Sequence, residues 1–234
     1  MKPWKELGQT VTPDGNDMRL TERDGEYVIL VNGQTLMSSR THGSEESLAT
    51  RACGRLATVE RPRVLVGGLG MGFTLRATLD LLPRDAVVTM AELVPAVVQW
   101  NRGPLAPLAD HPLGDKRVRV VITDVGFSLR THTGQFDAIL LDVDNGPSAF
   151  TSVNNCGLYD NAGVAAAFAA LKPGGTLAVW SAWDDRKFEQ RLRFHGFNAQ
   201  SERVRARREK GGSKHTIFVG LKPASDPAPP RARR

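Results

Sequence analysis

The chain has 234 residues, 41% apolar and 24% charged, with 31 Lys+Arg against 25 Asp+Glu. That composition excludes collagen, coiled coil and wholesale disorder, and it fits one globular domain with appendages. Residues 1–202 carry 21 basic and 23 acidic side chains, so the net charge of +6 arises entirely beyond Glu202 and nucleic acid is not an expected partner of the body.

The N-terminus MKPWKELGQT has no apolar signal core, and no apolar run approaches the roughly 18 residues of a membrane span. A cytoplasmic location is expected, with no membrane partner. Cys53 and Cys156 are isolated in sequence and read as packed thiols.

Along MRLTERDGEYVILVNGQTLM, Asp24-Gly25 and Asn32-Gly33 are each flanked by strand-forming residues. Asx-Gly accepts the positive φ of a type I′ turn, which predicts a small antiparallel β-meander. Ser44 then reads as the cap of a helix with Glu45 and Glu46 in its first turn, running towards Pro62. Beyond Pro62, short apolar runs at 63–68, 86–93, 117–124, 136–144 and 176–183 alternate with helical stretches. Continuous apolar strands between helices mean a parallel sheet covered on both faces. Two further strand-like runs about Lys210, Gly211 and Gly212 close the sheet with an antiparallel hairpin, on which Arg203, Arg205 and Arg207 share one face. A solvated strand face is the reading for those arginines. The expected organisation is an α/β doubly wound, mainly parallel sheet of Rossmann-like type over residues 45–222, capped by the β-meander of 1–44 and followed by a disordered basic tail, 223–234.

In such a sheet, ligands bind outside the carboxyl ends of the strands. After the first strand comes Gly68-Leu69-Gly70-Met71-Gly72, a G-x-G-x-G turn that lets a ligand approach the backbone. Glu92 and Leu93 end the second strand, and a carboxylate there can accept both hydroxyls of a ribose. Asp124 and Val125 follow the third, where the carboxylate can accept from an adenine amino group or simply cap a helix. These positions point to an adenosine-containing cofactor. Phe73 stands where the dinucleotide fingerprint needs its last glycine, which counts against NAD, and no GKS/GKT P-loop is present.

The compact glycine turn, the acidic end of strand two, Asp124 and the terminal hairpin together resemble the S-adenosylmethionine-dependent transferases. More narrowly, the meander with VLVGGLGMG, AELVPAVV, VITDV, FDAILLDVDNGP and LYDNAGVAAAFAALKPGGTLAV is similar to the spermidine synthase (polyamine aminopropyltransferase) family over most of residues 25–221. The resemblance implies S-adenosylmethionine or decarboxylated S-adenosylmethionine as cofactor and a small-molecule, amine-like acceptor. It matches Asp142 to the aspartate that assists the attacking amine, and Glu92 and Asp124 to the ribose and adenine carboxylates. Gly146-Pro147 also matches, whereas the segment before it is two residues shorter than in the family. Three departures concern the polyamine end. Gly70 replaces an aspartate that holds the aminopropyl ammonium, Leu36 replaces a cofactor-contacting glutamine, and Glu45, Glu46 and Ser47 replace a Tyr-His-Glu type stretch.

Asp142 is therefore the candidate catalytic base, with Asp144, Tyr159, Trp180 and Trp183 as candidates for the acceptor pocket and His42 as a further residue facing the cofactor. No histidine shows metal-ligand spacing. The expected activity is methylation of a small acceptor, ahead of aminopropyl transfer. A non-catalytic adenosine-binding protein and a nucleic-acid-modifying enzyme are the competing classes, and a homodimer is left open.

Overall fold

The computed structural model describes residues 2–143, 146–147, 156–206 and 213–224. Asp144, Arg207, the Lys210, Gly211, Gly212 turn and the basic tail beyond residue 224 lie outside the described residues, as does the side chain of Cys156.

Strands β1 (Lys5–Val11), β2 (Asp17–Arg23), β3 (Glu26–Val31) and β4 (Gln34–Ser38) pair antiparallel in chain order. The turns fall at the two Asx-Gly dipeptides, with φ of +50° and +80° at Asp24-Gly25 and +49° and +78° at Asn32-Gly33. β1 adds a strand that the dipeptide pattern does not mark. Its Gly8, beside a break in the pairing register, lies so close to the Trp100 indole that a Cβ would collide with it.

Next come α1 (Gly43–Cys53), β5 (Arg63–Gly67), α2 (Phe73–Leu81), β6 (Val87–Glu92), α3 (Pro95–Arg102), β7 (Val118–Ile122) and α4 (Val125–Thr131). They are followed by β8 (Phe136–Leu141), α5 (Cys156–Tyr159), α6 (Asn161–Ala170), β9 (Leu171–Ser181), α7 (Arg186–Phe194), β10 (Asn198–Arg205) and β11 (Lys214–Leu221). The seven-stranded sheet has the order β10-β11-β9-β8-β5-β6-β7, parallel from β9 to β7 and antiparallel at β10 and β11. This is the doubly wound architecture expected from the alternating pattern, and its strand order reverses between β5 and β8.

Side-chain alternation builds the two cores. Val64, Val66, Ala138 and Leu140 point to one face, with Met18, Leu20 and Ile29 of the small sheet and Leu48 of α1. Leu65, Ile139 and Leu141 point to the other, with Leu129, Val164, Phe188 and Phe218. The small sheet therefore shares a core with the large one. In α1 the expectation is corrected at both ends. His42 occupies the cap position, Ser44 lies inside the helix, and the helix stops at Cys53, where the Gly54 N–H bonds to the Thr50 carbonyl. Ser44 is not a cap because the helix already begins at Gly43, and its hydroxyl donates to Glu45 Oε2. Cys53 is buried and its thiol is pushed up to about 12 by that burial, as befits a packed thiol. Arg203 and Arg205 lie on the exposed face of β10, consistent with a solvated strand face. No helix among the described residues is long and apolar enough to cross a membrane.

Candidate active site

A cavity of about 440 Å³ opens between the small sheet and the carboxyl ends of β5, β6 and β8. Its place follows from the topology, since chains leaving β5 and β8 in opposite directions leave a crevice between them. Leu36 and Met37 of β4 form one wall and Trp180 of β9 another. Among the described residues the lining contains five carboxyl side chains, Asp14, Glu45, Glu92, Asp124 and Asp142, and no Lys or Arg.

The adenosine-side candidates meet at the ends of β5 and β6. Gly68, Gly70 and Gly72 all have positive φ, +89°, +50° and +85°, so the turn is open only to glycine or to a strained substitute. A Cβ on Gly68 would run into the Asp142 carbonyl, and one on Gly70 would lie 3.0 Å from Met37 Sδ and Cε. Glu92 is buried, and it accepts from the Leu69 N–H through Oε2 and from the Val94 N–H through Oε1, each at 2.8 Å. It thereby ties the glycine turn to the end of β6. Its carboxylate lines the cavity at the end of β6, the position from which a carboxylate can accept from a ribose diol. Gly68, Gly70, Glu92, Leu93, Asp124 and Val125 all line the cavity. Asp124 also caps α4, accepting from the Phe127 N–H at 2.9 Å.

At the end of β8, Asp142 is held by Thr74 of α2, whose hydroxyl donates to Oδ2 at 2.5 Å. Burial pushes the Asp142 carboxyl up to about 6, against the lowering effect of that hydrogen bond. Glu45 projects from α1 into the same cavity, pushed up to about 7, first by burial and then by the charge of Asp142. Sequence reading placed Glu45 only as a favourable charge in a helical first turn. Its sole signal for more was its alignment with an amine-binding stretch of a different composition.

Several candidates lie elsewhere. The Met71 side chain is fully buried in the core, and Gly72 faces Asn101 and Pro112; neither lines the cavity. Tyr159 is buried in the second core, edge-on to Phe188 at 5.7 Å, with its hydroxyl donating to the Val143 carbonyl at 3.3 Å. The two tryptophans separate, because alternation along the strand turns Trp180 into the cavity whereas Trp183 lies beyond β9, 55% exposed. His42 stacks on Phe73 at 4.4 Å and bonds Glu46 at 3.1 Å rather than lining the cavity. Gly146 returns the chain against Ser181, where a Cβ would lie 2.7 Å from Ser181 Oγ. No cluster of three metal-ligating side chains occurs among the described residues.

By sequence, no family model and no curated protein matches the chain. By structure, it is similar to a spermidine synthase from Thermotoga maritima, with a TM-score of 0.74 and 17% identity over 94% of this chain and 73% of that one. A spermidine synthase in complex with the transition state analogue AdoDATO gives a TM-score of 0.71 and 18% identity, with the same coverage. A probable spermidine synthase from Corynebacterium glutamicum ATCC 13032 gives 0.63 and 17%, over 94% of this chain and 81% of that one. At these identities the likeness concerns architecture: the chain has the fold of the spermidine synthases.

Proposed function

We propose that the chain is a transferase that uses an adenosyl sulfonium cofactor to alkylate a small amine. The observation that carries this reading is the half-buried Asp142, set at the end of β8 beside the glycine turn, in a cavity whose described lining has five carboxyl side chains and no Lys or Arg. Such a cavity favours cationic ligands and disfavours phosphates. It also argues against nucleic acid as the substrate of this site.

The residues present fit the cofactor at Glu92, whose two oxygens suit a ribose diol, and at the Gly68 backbone, which has no Cβ to obstruct approach. Bound there, the sulfonium would supply an activated carbon and leave as a neutral thioether. Asp142 orients the amine and takes its proton. A free alkylammonium has a pKa of roughly 10.4, so a carboxyl raised to about 6 is better matched to it than an ordinary aspartate. Thr74 fixes the Oδ2 oxygen, and Trp180 offers an aromatic wall to a cationic acceptor.

Methyl transfer is the leading reading of the transferred group. Beside Gly70 stands the apolar Met37, so no side-chain charge of the glycine turn meets an aminopropyl ammonium. A second reading, aminopropyl transfer, draws support from the absence of any Lys or Arg in the lining to pair with the carboxylate of S-adenosylmethionine. Competition binding separates the two. Methyl transfer predicts tighter binding of S-adenosylmethionine and a mass gain of one methyl on the amine. Tighter binding of the decarboxylated cofactor, with spermidine formed from putrescine, establishes the second reading, and binding without product from any amine defeats both.

A further inference from the structure

We propose that Asn101 of α3 is a positioning residue: by holding the Gly70 carbonyl it fixes the wall of the glycine turn that the cofactor meets. This rests on the reading of an adenosyl sulfonium cofactor and adds to it a residue outside the cavity. Asn101 is 1% exposed and does not line the cavity. Its Nδ2 donates to the Gly70 carbonyl at 2.8 Å and to the Val97 carbonyl, one turn back in its own helix, at 2.9 Å. Gly70 does line the cavity, with Met37 against it.

The amide is buried there at a cost. Asn101 Oδ1 has no hydrogen-bond partner among the described residues, and a buried acceptor left unpaired is unfavourable. Asparagine is also a weaker helix former than alanine or leucine. The same oxygen lies 2.9 Å from where a Cβ of Gly72 would be, so the side chain is wedged between two glycines of the turn. The donor half of the amide, which reaches Gly70, is what offsets that cost.

The turn requires an outside hold because glycine leaves a positive φ as readily as it enters one, and Gly68, Gly70 and Gly72 all have positive φ. Its N–H groups are secured at Gly68 by the Ala91 carbonyl at 3.0 Å, at Leu69 by Glu92 Oε2 at 2.8 Å and at Gly72 by the Leu69 carbonyl at 2.8 Å. Asn101 does the same for the Gly70 carbonyl. Released from it, the peptide between Gly70 and Met71 can rotate and carry the cavity wall with it. Glu92 ends β6 and Asn101 lies in the helix that follows, so one strand–helix unit clamps the turn at two successive residues.

Two substitutions separate this hold from packing. Asn101→Thr nearly keeps the volume, and its hydroxyl can still bond the Val97 carbonyl within the helix, but it is one bond too short for Gly70. Asn101→Ala removes both bonds and leaves space. Methylthioadenosine is the probe, since its adenosine and thioether belong to both readings of the transferred group. Calorimetry should show both variants weakened about tenfold, the scale of one neutral hydrogen bond. In turnover assays the cofactor KM should rise by the same factor, with acceptor KM and kcat unchanged. Wild-type affinity in Asn101→Thr with loss in Asn101→Ala alone assigns the residue to packing and overturns the proposal. So does early melting of either variant with wild-type affinity in its folded form. Without any ligand, the Gly70 carbonyl 13C resonance of the full chain should move in both variants, and an unmoved resonance overturns the hold by itself. A wild-type chain that binds neither methylthioadenosine nor either sulfonium cofactor defeats the functional reading, and the Gly70 resonance then decides the hold alone.

Discussion

Thr74 and Asp142 meet across the carboxyl end of the sheet, the threonine hydroxyl of α2 donating to Oδ2 of the aspartate at 2.5 Å. The bond stabilises the ionised carboxyl in a site where burial favours the neutral one. Thr74→Val should therefore raise Asp142 further above about 6. The acidic limb of the kcat/KM profile should move up by about one pH unit, and an unmoved limb would show that Asp142 does not set it.

Asp142→Asn preserves shape but cannot accept a proton. Turnover should fall by on the order of a hundredfold, with cofactor affinity little changed by calorimetry. An early-melting variant, or one with normal turnover, assigns the residue to the fold instead.

Glu92 holds two backbone N–H groups as well as facing the cavity. Glu92→Ala should weaken binding of the adenosine ligand by about 2 kcal/mol or more, since hydrogen bonds to charged groups contribute roughly 1.5 to 3 each. It should also lower the melting temperature, because the Leu69 and Val94 N–H groups lose their acceptor. Unchanged affinity in a folded variant would displace the ribose from this position.

Glu45 and Asp142 give a pH dependence with a definite sign. Both carboxyls are raised, to about 7 and about 6, from ordinary values of 4.5 and 3.8. Between those limits the folded chain binds more protons than the unfolded one, so this pair's contribution to stability falls as pH rises from about 4 to about 7. Glu45→Gln should melt higher than wild type at pH 8 and lose that advantage at pH 4. Thermal melts at the two pH values check it, and an advantage at pH 4 instead would reverse the assignment.

Gly70 controls cofactor preference in the leading functional reading. With φ at +50° the position admits aspartate better than most residues, and the nearest atoms are the flexible end of Met37. Gly70→Asp should shift relative affinity towards decarboxylated S-adenosylmethionine by about tenfold, or roughly 1.4 kcal/mol. Titration of both cofactors against both proteins measures it, and an equal ratio would mean that the aminopropyl end lies elsewhere.

The local chemistry of turns and the apolar runs were sufficient for the architecture. Asp24-Gly25 and Asn32-Gly33 mark the meander because few residues other than glycine and Asx tolerate two successive positive φ values. The runs at β5, β6 and β8 mark a doubly covered parallel sheet because strands buried on both faces cannot alternate with polar residues. Once that sheet was recognised, the rule of carboxyl strand ends singled out Gly68, Glu92, Asp124 and Asp142, each of which depends on its position after one strand.

Side-chain direction and long-range contact were not legible in the same way. Met71 and Tyr159 occupy plausible positions in sequence, yet their side chains are buried in the two cores, a choice made by packing from residues far along the chain. Glu45 is the converse case: its helix presents it to solvent or to Asp142 according to how α1 docks on the ends of β8 and β9. The separation of 171 positions from Ser44 to His215 leaves no periodicity to read, so only the closing of β11 against β9 sets the serine hydroxyl 3.0 Å from the imidazole. Local propensity and strand order are written in neighbouring residues, whereas a buried network depends on which distant surfaces exclude water together, and that is decided when the chain packs.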